Sequence, residues 1–198
     1  MQKSKHFTAL DLTIGSIFIA LMAVGANITS IAPFMVVGGV PITLQTFFAI
    51  LAGLILGSRM GTIAMIAYTL LGLAGAPIFS QFSGGISTIL SPTFGFILSY
   101  IIMAYVTGKI VEKKRSLPLY LIASFVALII NYLIGTNWMY GAYLFWFDAP
   151  SSFSYKLVWY WMAVPLPKDV ILTICAGVFA YRMENRILSK SRYRQQHY

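Results

Sequence analysis

The chain has 198 residues, of which 59% are hydrophobic and 10% charged, and its mean hydropathy is +0.80. Soluble domains carry about 25% charged residues, so this composition excludes a single water-soluble core and calls for lipid around the fold. The net charge of +9 is concentrated beside apolar runs, where basic residues set orientation and meet anionic head groups; no nucleic-acid partner is expected.

About 20 mostly apolar residues span a bilayer as a helix. Six stretches qualify in chain order: Leu12–Ile31, Ile42–Gly57, Gly61–Ile78, Pro92–Val111, Pro118–Gly135 and Pro167–Tyr181. Apolar residues run continuously in them instead of alternating, which excludes barrel strands. The prediction is an all-α integral membrane bundle of six transmembrane helices, forming one domain over residues 1–198. Lys3, Lys5 and His6 precede the first run; it is long for a signal-peptide core and lacks a small-residue cleavage site, so it reads as a retained helix.

The basic residues fall on two sides unequally. With both termini on one side, that side holds Lys3, Lys5, Arg59, Lys109, Lys113, Lys114, Arg115, Arg182, Arg186, Lys190, Arg192 and Arg194, and the other holds only Lys156 and Lys168. The positive-inside rule then makes residues 1–11 a cytoplasmic segment and 183–198 a basic cytoplasmic tail. The outer loops become Ala32–Pro41, Phe79–Ser91 and Thr136–Leu166. The last holds Trp138, Trp146, Trp159 and Trp161, and its apolar run from Leu157 to Val164 predicts a re-entrant or lid segment.

Several chemistries lack their residues. Thr107-Gly108-Lys109-Ile110 has neither the earlier glycine nor the following Ser or Thr of a P-loop, so the chain does not hydrolyse ATP by that route. The carboxylates Asp11, Glu112, Asp148, Asp169 and Glu184 form no clear acid–base pair, and no catalytic residue is assigned. His6 and His197 sit in polar tails, so no metal site is expected. Cys175, the single cysteine, has no disulfide partner and reads as packing. No inverted repeat points to a stand-alone transporter.

Three motifs carry polar chemistry at outer-leaflet depth. The first is Gly38-Gly39-Val40-Pro41-Ile42-Thr43-Leu44-Gln45-Thr46, where Pro41 suits a helix start and places Thr43 and Gln45 in the first turns. The Gln45 amide there faces a cavity or bonds a neighbouring helix. The second is the block from Gly72 through Phe79 to Ser83-Gly84-Gly85 and Ser91-Pro92-Thr93-Phe94-Gly95, which is either a turn or a set of inward main-chain N–H donors. The third is Pro165-Leu166-Pro167-Lys168-Asp169, whose two charges are either a helix-end pair or a site. Asn131, mid-helix, is packing glue or cavity lining.

In combination, the 38–46 segment, the 68–96 block and the 165–169 helix start closely resemble the BioY family, the biotin-specific S-components of energy-coupling-factor (ECF) transporters. The resemblance runs from the first helix to the end of the sixth. It implies a six-helix bundle in the plasma membrane of a prokaryote, with an outer-face substrate cavity covered by loops. It also implies partners, a transmembrane coupling (T) subunit and two ATPase (A) subunits, so that ATP is used only by those partners and no cofactor is needed. The family's alanine-x-x-x-alanine docking pattern is departed from here: Ser16-x-x-x-Ala20 is the nearest match. Biotin's ureido ring and carboxylate imply substrate contacts from Thr43, Gln45, Phe79, Ser83, Gly84, Gly85, Asn131, Tyr140, Trp159, Lys168 and Asp169. An S-component for another vitamin, or a non-transport membrane scaffold, remain the alternatives.

Overall fold

The computed structural model describes residues 8–28, 36–37, 40–41 and 43–187, and only the main chain of 36–37 and 40–41. Lys3, Lys5, His6, Gly38, Gly39, Ile42 and the tail from residue 188 lie outside the described residues.

Helix α1 (Ala9–Asn27) opens with a capping box: the Asp11 main-chain N–H donates to Thr8 Oγ1 at 3.2 Å and the Thr8 N–H donates to Asp11 Oδ2 at 2.8 Å. Each partner satisfies a donor that the helix end leaves orphaned. After α1, strands β1 (Val36–Val37) and β2 (Val40–Pro41) form a two-residue antiparallel pair. Pro41 therefore does not start the next helix. Helix α2 begins at Gln45, and Thr43 precedes it.

Helix α2 (Gln45–Leu73) is two helices in one. Gly57 sits at φ 82°, ψ 175°, a backbone region open essentially to glycine alone, and the chain reverses there. In a straight helix Gln45 and Tyr68 would be about 34 Å apart at 1.5 Å per residue; instead Gln45 Nε2 donates to the Tyr68 hydroxyl at 2.8 Å. The arms, residues 45–56 and 58–73, lie antiparallel, so the two spans read from the sequence are both present. Glu112 fixes the turn: its Oε1 accepts from both the N–H and the hydroxyl of Ser58 at 2.8 Å. A carboxylate at that position favours the positive end of the second arm.

The remaining helices are α3 (Phe94–Lys113), α4 (Leu117–Phe145), α5 (Tyr155–Ala163) and α6 (Leu166–Arg186), with two 3-10 turns, Ser80–Phe82 and Ile86–Leu90, in the strip before α3. Helix α4 runs ten residues beyond the expected end at Gly135. That glycine lies inside the helix, and the Phe96 ring packs where a Cβ would stand. Trp138 and Tyr140 consequently lie on α4, not in a loop. Helix α5, over the apolar run expected to fold back as a re-entrant or lid segment, is a short helix that meets α6 at 56°. Among the described residues four helices are long and apolar enough to cross a membrane, five with α5–α6 counted as one bent span. The Gly57 reversal divides α2 into two shorter arms, which brings the bundle to the six-segment plan.

The outside of the bundle is apolar: Ile17, Val24, Leu70, Ile129, Leu133 and Ile171 are all at least half exposed. Cys175 belongs to this outer surface instead of the packed interior. A surface this apolar is one that hydrocarbon covers, and the protein is a multi-pass membrane protein. The described ends of the chain, at Thr8 and Ile187, share one end of the bundle. The Gly57 reversal and the α3–α4 connection lie there too; the starts of α2, α3 and α6 meet at the other end.

Candidate substrate-binding site

A cavity of about 440 Å³ opens between the starts of α2, α3 and α6 and the C-terminal half of α4, under the 79–93 strip. Small-molecule sites run from about 300 to 1,000 Å³. Of the residues singled out from the sequence, Thr43, Gln45, Phe79, Ser83, Gly84, Asn131, Lys168 and Asp169 line it.

Asp169, in the first turn of α6, is the most demanding group, because it is 5% exposed and a buried carboxylate requires partners. The Tyr132 hydroxyl, from α4, donates to Asp169 Oδ2 at 2.8 Å. Lys168 Nζ lies 2.7 Å from Oδ1, so each carboxylate oxygen has one partner, a hydroxyl on Oδ2 and an ammonium on Oδ1. The same ammonium donates to the Thr43 carbonyl at 2.6 Å, tying the start of α6 to the segment entering α2. An ammonium carries three N–H donors, which leaves capacity on Lys168 for an anionic group.

A second polar chain crosses the cavity floor. Ser99 donates to Asn131 Oδ1 at 2.7 Å, and Asn131 Nδ2 donates to Thr46 Oγ1 at 3.4 Å. The expected alternatives for Asn131 are thus both realised, since it bridges helices and faces the cavity. Gln45 likewise bonds Tyr68, whose hydroxyl donates onward to the Ile78 carbonyl at 2.9 Å. Its amide oxygen remains an acceptor beside the cavity. Phe79 packs edge-on against the Tyr68 ring and fills the space that the absent side chain of Gly72 leaves.

The glycine-rich turn works differently from a donor array. The Ser83 N–H donates to Ser80 O at 3.3 Å and the Gly85 N–H to Gly72 O at 2.7 Å, so these two donors are committed inside the strip. Gly84 is needed because a Cβ there would strike the Ala76 carbonyl. Gly85, at φ 93°, does not line the cavity. Nor do Tyr140, which stacks on Phe153, and Trp159, which faces the side of the bundle.

Sequence reasoning passed over Thr46, Tyr100, Tyr132, Met139, Tyr143 and Met162, all of which line the cavity. Tyr132, Met139 and Tyr143 recur at seven and four residues along α4, a helical spacing visible only once that helix is known to continue past Gly135. Ser16 and Ala20 are both exposed on one face of α1, away from the cavity.

The model of the BioY family matches residues 1–189. The chain belongs to the BioY family. BioYB of Bacillus subtilis (strain 168) is 42% identical over 180 residues, covering 90% of this chain and 89% of its own. The relative named biotin transporter BioY from Rhodobacter capsulatus is 35% identical over 72% of this chain and 77% of its own. The biotin transporter BioY of Thermotoga maritima is 41% identical over 60% of this chain and 68% of its own. Among solved structures, the fold matches the S-component for biotin from an ECF-type ABC transporter, with a TM-score of 0.66 over 91% of this chain and 96% of that one, at 23% identity.

Proposed function

We propose that this BioY-family chain captures biotin at the outer membrane face and is the substrate-binding subunit of an ECF-type transporter. The carrying observation is the Asp169 carboxylate, buried in the cavity wall and held by Tyr132 on one oxygen and Lys168 on the other, with Gln45 and Asn131 lining the same cavity. Turning of the Lys168 ammonium toward the ligand's carboxylate frees Oδ1 for a ureido N–H. The ureido oxygen requires a donor, which the amides of Asn131 and Gln45 are placed to give by small side-chain rotation. The biotin carboxylate is matched by the ammonium of Lys168, with Thr43 holding that ammonium in place, and with Phe79, Ser83 and Gly84 closing the cavity from the strip. Buried polar groups left unpaired penalise a ligand that lacks the matching atoms, so the arrangement is selective.

In this reading both termini lie in the cytoplasm of a prokaryotic cell, since the basic residues collect at the end of the bundle opposite the cavity. The chain captures and does not catalyse. Energy comes from a transmembrane coupling subunit, docked on the Ser16–Ala20 face of α1, and from two ATPases. The test is calorimetric titration of protein purified from biotin-depleted cells. Saturation near one biotin per chain, with no heat from thiamine or riboflavin, is expected. Saturation by one of the other vitamins would replace biotin as the ligand, and no saturable ligand at all would favour a scaffold role.

A further inference from the structure

A second hollow, of about 300 Å³, opens on the side of the bundle between α4, α5 and the start of α6. Its rim includes Ile129, Leu133 and Ala163, and the first two are 57% and 50% exposed. The hollow and the substrate cavity share two lining residues, Tyr132 and Met162. These side chains are the partition between them, and each is almost fully buried. One face of Tyr132 therefore looks toward the side of the bundle while its hydroxyl holds Asp169.

The side opening continues the apolar outer surface, where Ile171 and Ile174 of α6 are also exposed. In a multi-pass membrane protein the medium at such a surface is hydrocarbon. A void beside a side chain forfeits the dispersion contacts that would hold it. Ala163 leaves the gap that a larger residue on α5 would close.

We propose that the α4–α5 groove binds one acyl chain of a membrane lipid, which backs the Tyr132–Met162 partition and keeps Tyr132 on Asp169. The acyl-chain site stands without any assigned substrate; its effect on affinity rests on the biotin reading.

The experiment reconstitutes the full chain in phosphatidylglycerol nanodiscs with a trace of phosphatidylcholine bearing a mid-chain diazirine, then maps the photolabel by peptide mass spectrometry. Label concentrated on residues 129–133 and 159–166, and reduced severalfold by Ala163→Phe, is expected. Label spread evenly over the outer helices would mean annular lipid only and would overturn the site. Biotin is then titrated into the unmodified protein and Ala163→Phe, each in nanodiscs and in lipid-stripped detergent. Stripping is expected to weaken binding severalfold in the unmodified protein and far less in the variant, whose ring replaces the chain. Ala163→Leu serves the same test if the ring is not tolerated. Equal affinity with and without lipid would overturn the coupling. Groove-confined label with no biotin binding in any medium would strike the biotin reading and leave the lipid site standing.

Discussion

Asp169 and Glu184 are two buried carboxylates on the same helix, facing opposite ends of the bundle, and they are treated in opposite ways. Glu184 is 2% exposed and takes Arg115 Nη1 at 2.7 Å, an ion pair that staples the end of α6 to the connection between α3 and α4. Glu112 at that end caps the second arm of α2, and Asp11 caps α1. Every one of these three carboxylates does a structural task. Asp169 has its partners too, Tyr132 and Lys168, but here the carboxylate and both partners line a cavity. Burial alone does not distinguish a site from a staple; an open volume lined by the carboxylate and its partners does.

The contrast can be broken by mutation. Arg115→Ala carries the largest expected effect, because stripping the partner from a buried carboxylate costs on the order of 3–5 kcal/mol of stability. Thermal unfolding in detergent should show it, while biotin affinity per folded molecule stays close to that of the parent. A parent-like unfolding midpoint would remove Glu184 from its structural role. Asp169→Asn should show the reverse: affinity lower by about 2–5 kcal/mol in calorimetry, with a much smaller change in the unfolding of the ligand-free protein. Unchanged affinity in that variant assigns Asp169 to structure and collapses the contrast.

Tyr132→Phe sharpens the same point. Losing one hydrogen bond to a charged acceptor should weaken biotin binding by about 1.5–3 kcal/mol, read by the same titration; an equal loss for a ligand lacking the ureido group would argue against a role through Asp169. The smallest effect belongs to Thr8→Ala, which removes the α1 cap at a cost of about 1 kcal/mol in stability. Its titration curve should overlay the parent's, and a shifted one would tie the far end of the bundle to the site.

Much of this architecture is written in the sequence, and the omissions have a common cause. The break between the second and third apolar runs falls at Gly57, where the chain does reverse, because a glycine-to-serine step interrupts the pattern. Lys168 and Asp169 stand out since charges in apolar helices are costly. Tyr132, Tyr100 and Thr46 do not stand out. Where lipid replaces water, the outer face of a helix is as apolar as the inner one, so the 3.6-residue period that marks a core face in soluble helices fades. Which way a tyrosine points then depends on how helices are rotated against one another. The end of α4 was illegible for a different reason: Gly135 looks like a stop, and only the Phe96 ring seated against it shows that the position is a close helix contact.

The tryptophans have a practical consequence. Trp138 donates its indole N–H to the Ser91 carbonyl at 3.1 Å, and Trp146 to the Leu90 carbonyl at 2.7 Å. Both indoles are thus clasped to the strip that closes the cavity, whereas Trp159 looks out of the side groove. Trp161, packed against Tyr143 and Phe153, adds a background that Trp161→Phe removes, leaving two optical channels. Emission from the clasped pair should shift wavelength when a ligand moves the strip, and emission from Trp159 should dim when brominated acyl chains surround the bundle. Filling of the cavity and contact with the bilayer can be watched in one cuvette and told apart.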